Sequence, residues 1–120
     1  MKHRIDPAKL RVMFGAQIAM GPGKADLLQA IAATGSITAA ARHMNMSYRR
    51  AWNLVSIMNG CFREPLIDTA TGGEGGGGAR VTPFGQQVLA RFRKMQEGID
   101  KAIAADIEAF SSLLSDSPPA

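Results

Sequence analysis

Residues 35–54 read GSITAAARHMNMSYRRAWNL, and where this stretch puts its capping, small and apolar residues decides how the rest of the chain is read. Ser36 and Ser47 each precede a run able to form a helix. A serine hydroxyl in that position accepts from the unpaired amides of the first turn. One helix is therefore predicted through Met44 and another from about Tyr48 to Asn59, with Gly60 as its stop. Between them, Asn45 tolerates a left-handed backbone better than most non-glycine residues, so Asn45-Met46 reads as a tight turn. Two helices crossing closely over such a turn need a small contact position and apolar residues at set offsets on the inner face. Ala40, Ala41, Met44, Met46, Ala51 and Leu54 supply both. An ordinary helical hairpin meets the same requirement, so the flanks have to discriminate.

Upstream, Leu10, Val12, Phe14, Ala16, Ile18 and Met20 alternate with their neighbours at a period of two, the pattern of a strand, with a turn near Gly15. Gly21-Pro22-Gly23 reads as a breaker. Beyond it Leu27, Leu28, Ile31 and Ala32 recur at helical spacing until Thr34-Gly35 provides a stop. Downstream, Leu66 to Thr69 and Ala79 to Thr82 are short β-prone runs around Ala70-Thr71-Gly72-Gly73-Glu74-Gly75-Gly76-Gly77-Gly78, a hairpin with a glycine-rich tip. By composition the glycines suit a linker, but strands flank them directly and no second domain follows to be tethered. No Gly-Lys-Ser/Thr follows, so this is not a P-loop.

Thr82 caps, and Pro83 opens, a long helix. Phe84, Val88, Phe92, Met95, Ile99, Ile103, Ile107 and Phe110 step by three or four residues and form one apolar stripe. Such a helix is roughly 40 Å long, more than a small domain can cover, so part of the stripe must meet another chain. The stripe is assigned to dimerisation. The fold class predicted is mostly α with a small β component: a winged helix-turn-helix plus a long C-terminal dimerisation helix. The winged helix-turn-helix occupies 8–82, with its helix pair at about 36–60 and wing at about 66–82. The dimerisation helix occupies 83–110 and a flexible tail 111–120.

Charge supports the same division. The net charge is +4, but no acid lies between Asp26 and Glu64, a window holding Arg42, Arg49, Arg50 and Arg63. A second acid-free window, between Glu74 and Glu97, holds Arg80, Arg91, Arg93 and Lys94. From Glu97 onward the sign reverses: Glu97, Asp100, Asp106, Glu108 and Asp116 stand against Lys101 alone. The middle of the chain is the candidate phosphate-facing region.

If the third helix lies in a major groove, its N-terminal residues reach base edges: Ser47, Tyr48, Arg49, Arg50 and, one turn later, Asn53. Arginine can hold guanine in bidentate fashion and asparagine can do the same to adenine. Neighbours on a helix point about 100° apart, so one of Arg49 and Arg50 reads a base and the other takes a phosphate. The sequence leaves the choice between them open. Arg42, Arg63 and Arg80 are expected as phosphate contacts or solvated charges rather than readers of sequence, Ser36 is expected at the DNA, and the tip glycines Gly73, Gly75 and Gly76 let bare backbone approach the duplex. Trp52 and Tyr48 are expected against the wing or each other, with Trp52 better suited to the core.

Other classes find less support. The 46% hydrophobic and 20% charged residues make an ordinary globular chain, and no apolar run approaches a membrane span. A lone Cys61 suits a reducing compartment, so a cytoplasmic protein is expected. Two isolated histidines make no zinc site, and neither a metal nor a cofactor is expected. As an enzyme the chain offers only Cys61 with His43, and no third group to orient them.

From about Ala8 to Phe110 the chain resembles the DNA-binding domain of the molybdate-responsive ModE regulators. The likeness lies in Gly35-Ser36-Ile37, Ser47-Tyr48-Arg49 with Ala51-Trp52, and Met58-Asn59. Most specific is Ala70-Thr71-Gly72-Gly73 leading into Gly75-Gly76-Gly77-Gly78, with Thr82 and Gly85-Gln86 behind. The resemblance implies a winged-helix homodimer whose long helices pair, binding double-stranded DNA at a palindromic operator of molybdenum-uptake or molybdoenzyme genes. Full-length members carry C-terminal molybdate-binding domains of the small β-barrel type. This chain ends before one could begin, so direct molybdate sensing is not expected of it. Two departures stand out: Asn45 where such turns often have glycine, and Glu74, whose charge weakens the approach of the tip to phosphates. The alternative is an accessory module that heterodimerises with a full-length relative through the Phe84 to Phe110 stripe.

Overall fold

Both tight turns adopt the backbone their residues favour. Asn45 has φ of 55° between the two central helices, and Gly35 has φ of 70° at the end of the helix before them. The computed structural model describes residues 9–69 and 78–120. Its elements are β1 (Val12–Phe14), β2 (Gln17–Met20), α1 (Pro22–Thr34), α2 (Ile37–His43), α3 (Tyr48–Cys61), β3 (Ile67–Thr69), β4 (Ala79–Val81) and α4 (Pro83–Ser111). The three side-chain caps read from the sequence all form. Ser36 Oγ accepts from the Ala39 amide at 3.0 Å, Ser47 Oγ from Arg50 at 3.1 Å and Thr82 Oγ1 from Gly85 at 2.9 Å.

The turn expected near Gly15 forms, and two boundaries differ from the sequence reading. The alternating run at 10–20 is a hairpin, β1 antiparallel to β2, folded at Gly15 with φ of 60°. The supposed breaker at 21–23 lies largely inside α1. Gly21 is the cap, and Pro22 is the first helical residue, a position where its missing amide has no partner to lose. Gly60 does not stop α3, which runs on to Cys61. Phe62 then leaves in an extended conformation and packs against the core.

The core gathers one face from each helix. Leu27, Leu28 and Ile31 come from α1, Ala40 and Ala41 from α2, Ala51, Val55 and Met58 from α3, and Leu89 and Phe92 from α4. Ala40 and Ala51 are fully buried, which is why the α2–α3 crossing requires alanine there. Leu66 and Ile67 of the β3 approach, with Val81 of β4, close the cluster from the wing side.

The wing is tied to the helices at three points. The Ala79 amide donates to the Gly35 carbonyl at 2.9 Å, joining β4 to the turn that opens the helix pair. The Thr82 amide donates to the Leu66 carbonyl at 2.9 Å. The Asn59 side chain accepts from the Leu66 and Ile67 amides at 2.8 and 3.2 Å and donates to the Ile67 carbonyl at 3.0 Å, acting as a short strand at the edge of β3.

Gly85 fixes how closely α4 approaches β3. A Cβ there would sit on the Leu66 carbonyl oxygen and 2.8 Å from Val81 Cγ1, and backbone cannot swing aside as a side chain can. Gly85→Ala is therefore expected to destabilise the domain by about 1–3 kcal/mol. Gly98→Ala, in the same helix with open space around it, is expected to stabilise by about 0.5–1 kcal/mol. Urea unfolding of both variants checks the pair, and equal effects of the same sign would show that β3 does not confine the helix.

The stripe along α4 divides in two. Phe92 is 2% exposed and belongs to this chain's own core, with Phe84 and Val88 packed against it. Met95, Ile99, Ile103, Ile107 and Phe110 lie outside that core, and Met95 and Phe110 are 46% and 57% exposed. The 29-residue helix rises about 43 Å and accounts for the long dimension of the molecule, 57 Å against 30 and 26 Å.

Candidate nucleic-acid interface

Burial of Ala51, Val55 and Met58 fixes which way α3 faces. At about 100° per residue, Arg49, Asn53 and Ser56 share the opposite side, and all three are exposed. Arg50 lies about a quarter-turn away, on the flank with Leu54 and Ile57. Tyr48 and Trp52 share the other flank. The ambiguity between the two arginines is thereby reduced: Arg49 and Asn53, one turn apart, form the outward pair of donor-rich side chains.

Tyr48 and Trp52 meet each other. Their rings stand edge to face, 6.3 Å between centroids at 77°, and the indole N–H of Trp52 donates to the Tyr48 hydroxyl. Trp52 is half-buried against the core and Tyr48 is 50% exposed.

Around this face the other expected contacts occupy surface positions. Ser36 is half-buried and Ser47 exposed, each with its oxygen engaged in capping. Arg42 is exposed near the end of α2. Arg63 lies over the Phe84 ring at 5.4 Å, 3.9 Å from Glu64. Arg80 faces its cross-strand neighbour Asp68 at 3.4 Å, with both side chains more than half exposed. Pairs this exposed are weak and screened by salt, so both arginines can exchange their carboxylate for a phosphate. Gly73, Gly75 and Gly76 fall outside the described residues.

Arg93 has a different task from its neighbours in the second basic window. It donates to Asp26 at 2.8 Å, Gln29 at 2.8 Å and Gln96 at 3.1 Å, clamping α4 to α1. Arg91 and Lys94 point to solvent. Sequence reasoning missed this clamp, as it missed the Asn59 bracket and the Asp68 partner of Arg80. A cross-strand register would have exposed the last, whereas the first two depend on long-range packing.

The Cys61 and His43 side chains are not brought into one site. Cys61 lies near Lys24, whose ammonium is held below the usual lysine range by burial. His43 instead lines a crevice of about 540 Å³ with Asp26, Gln29 and Arg93. Among the described residues no three His, Cys, Asp or Glu side chains gather as a metal site.

A capped helix pair with an outward basic and amide-bearing face, buttressed by a two-stranded wing, defines a winged helix-turn-helix DNA-binding domain. Residues 24–86 match the sequence profile described as "Bacterial regulatory helix-turn-helix protein, lysR family", and the chain belongs to that family. Within it the chain is similar to the molybdenum-pterin-binding protein MopB of Rhodobacter capsulatus, 41% identical over 72% of this chain and 32% of that protein. It is 42% identical to MopA of the same organism over 70% of this chain and 32% of that protein. Against the DNA-binding transcriptional dual regulator ModE of Escherichia coli K12 the identity is 37%, over 68% of this chain and 31% of that one. The chain thus carries a ModE-like DNA-binding domain and spans about a third of the length of the curated relatives it matches.

Proposed function

We propose that this chain reads double-stranded DNA as a homodimer and regulates transcription of molybdenum-uptake or molybdoenzyme genes in the cytoplasm. The observation that carries the reading is the outward pair Arg49 and Asn53 on a helix whose other face is locked in the core. Sequence readout needs side chains whose hydrogen-bonding heads are free and whose backbone does not move. Ser36, Arg42, Arg50, Arg63 and Arg80 surround that pair as phosphate contacts, which set register and orientation. The molybdenum part rests on the names of the relatives, which include molybdenum transport proteins and a transcriptional dual regulator. The transcriptional regulators among the relatives favour a non-enzymatic role, and no described helix is long and apolar enough to cross a membrane.

The homodimer rests on the uncovered half of α4. Arg91 and Lys94 lie near the start of that half, whereas Glu97, Asp100, Asp106 and Glu108 lie along the rest with Lys101. Antiparallel pairing of Met95 to Phe110 on a second copy puts acidic ends beside basic beginnings, whereas parallel pairing puts like beside like. A two-fold dimer then presents two recognition helices about 34 Å apart, or a multiple of it, to a palindromic site.

Selection from fragmented genomic DNA at near-physiological salt, in parallel with and without molybdate, tests the proposal. Enrichment of a palindrome in both arms is expected. Uniform retention of all fragments would reduce the activity to non-specific binding. The same stripe also suits a heterodimer with a full-length relative. A chain that sediments as a monomer yet co-purifies with such a relative would establish that accessory role instead.

A further inference from the structure

Tyr48 and Trp52 are the only tyrosine and the only tryptophan in the chain, and they lie one turn apart on one flank of α3. Trp52 is the fixed member, half-buried against the core. Tyr48 is the exposed member, in the first turn of the helix beside the Ser47 cap. An indole N–H can only donate, so in the bond from Trp52 the phenol oxygen acts as acceptor. The phenol's own proton must then point away from Trp52, and among the described residues it meets no acceptor. What remains is a donor, held by an edge-to-face ring contact, on the rim of the DNA-reading face.

We propose that Trp52 is a positioning residue that holds the Tyr48 phenol as a preorganised donor to a DNA phosphate oxygen. The inference rests on the DNA-reading role of α3. Phosphate oxygens only accept, and they line the groove edge, where the flank of α3 lies while Arg49 and Asn53 face the bases. A base edge is a poorer match, because Tyr48 lies about a third of a turn from that pair. Holding the phenol before contact spares binding the loss of its rotamer freedom, so the tether acts on affinity even though Trp52 touches no DNA. Being neutral, the phenol releases no counterion. Its loss should leave the salt dependence of binding unchanged, unlike the loss of an arginine contact.

A double-mutant cycle on mixed-sequence 30-base-pair duplex, followed by fluorescence anisotropy over a range of NaCl concentrations, tests this. Trp52→Phe keeps an aromatic ring and removes the N–H, and Tyr48→Phe removes the hydroxyl. Each is expected to weaken binding about fivefold with an unchanged salt slope, and the double variant to bind no worse than either single. A Trp52→Phe loss that persists in the Tyr48→Phe background would mark a packing role and overturn the proposal, as would wild-type affinity for Trp52→Phe. A second readout uses the single indole N–H resonance. Duplex should shift it in the parent and leave it nearly unmoved in Tyr48→Phe; equal shifts in both would also overturn the tether. Failure of the parent to bind duplex at all would instead sink the DNA-reading role itself.

Discussion

Phe92→Ala is expected to cost about 3–5 kcal/mol and Ile99→Asp almost nothing in the stability of the domain, although both residues belong to one continuous stripe. Phe92 sits at 2% exposure within the hydrophobic core, where truncation leaves a cavity among buried side chains. A loss of that size removes a large part of the 5–15 kcal/mol a small domain usually has. Ile99 lies beyond the core, so an aspartate there meets water in the lone chain. In the dimer it would put two unpaired carboxylates into an apolar seam, and Ile99→Asp is expected to sediment as a folded monomer. Urea unfolding and sedimentation velocity separate the two effects. Parent-like stability of Phe92→Ala would contradict the packing described here, and an Ile99→Asp dimer would place the interface elsewhere.

The division of that stripe shows where the sequence was legible. Periodicity finds an apolar face but not what covers it, because residues 84–92 and 95–110 repeat with the same spacing. Only the fold reveals that burial along α4 stops at Phe92, beside the Arg93 contacts to Asp26 and Gln29 of α1. Local chemistry was read more fully. Ser36, Ser47 and Thr82 cap as expected, and Asn45 and Gly35 take the left-handed backbone, because each outcome depends on a few adjacent residues. Gly60 and the 21–23 segment were misread for the complementary reason. Glycine and proline punctuate strongly on average, but a proline in the first helical position costs nothing, and an exposed glycine inside a helix costs less than its packed neighbours contribute. Gly85 is the opposite case. Its necessity comes from the Leu66 carbonyl, nineteen positions earlier in the sequence, and no local signal announces it.

The same distinction between periodicity and placement governs the arginines of α3, where the second large effect is expected. Arg49→Ala should lower the ratio of specific to random-sequence affinity by roughly ten- to a hundredfold, since a bidentate base contact discriminates by about 1–3 kcal/mol. Arg50→Ala and Arg80→Ala should weaken binding to every sequence alike and flatten the salt dependence by about one unit each, as lost phosphate contacts do. The difference is angular. Arg49 shares the outward side of α3 with Asn53, Arg50 is turned toward Leu54 and Ile57, and Arg80 sits on the wing opposite Asp68. Anisotropy titrations with the selected palindrome and a scrambled duplex, each at several salt concentrations, give both quantities for all three variants. A specificity loss in Arg50→Ala with none in Arg49→Ala would mean that the helix enters the groove rotated by about a quarter-turn. In that case Arg49 would move to the groove edge, and Tyr48, about 200° around the helix from Arg50, would turn away from the DNA.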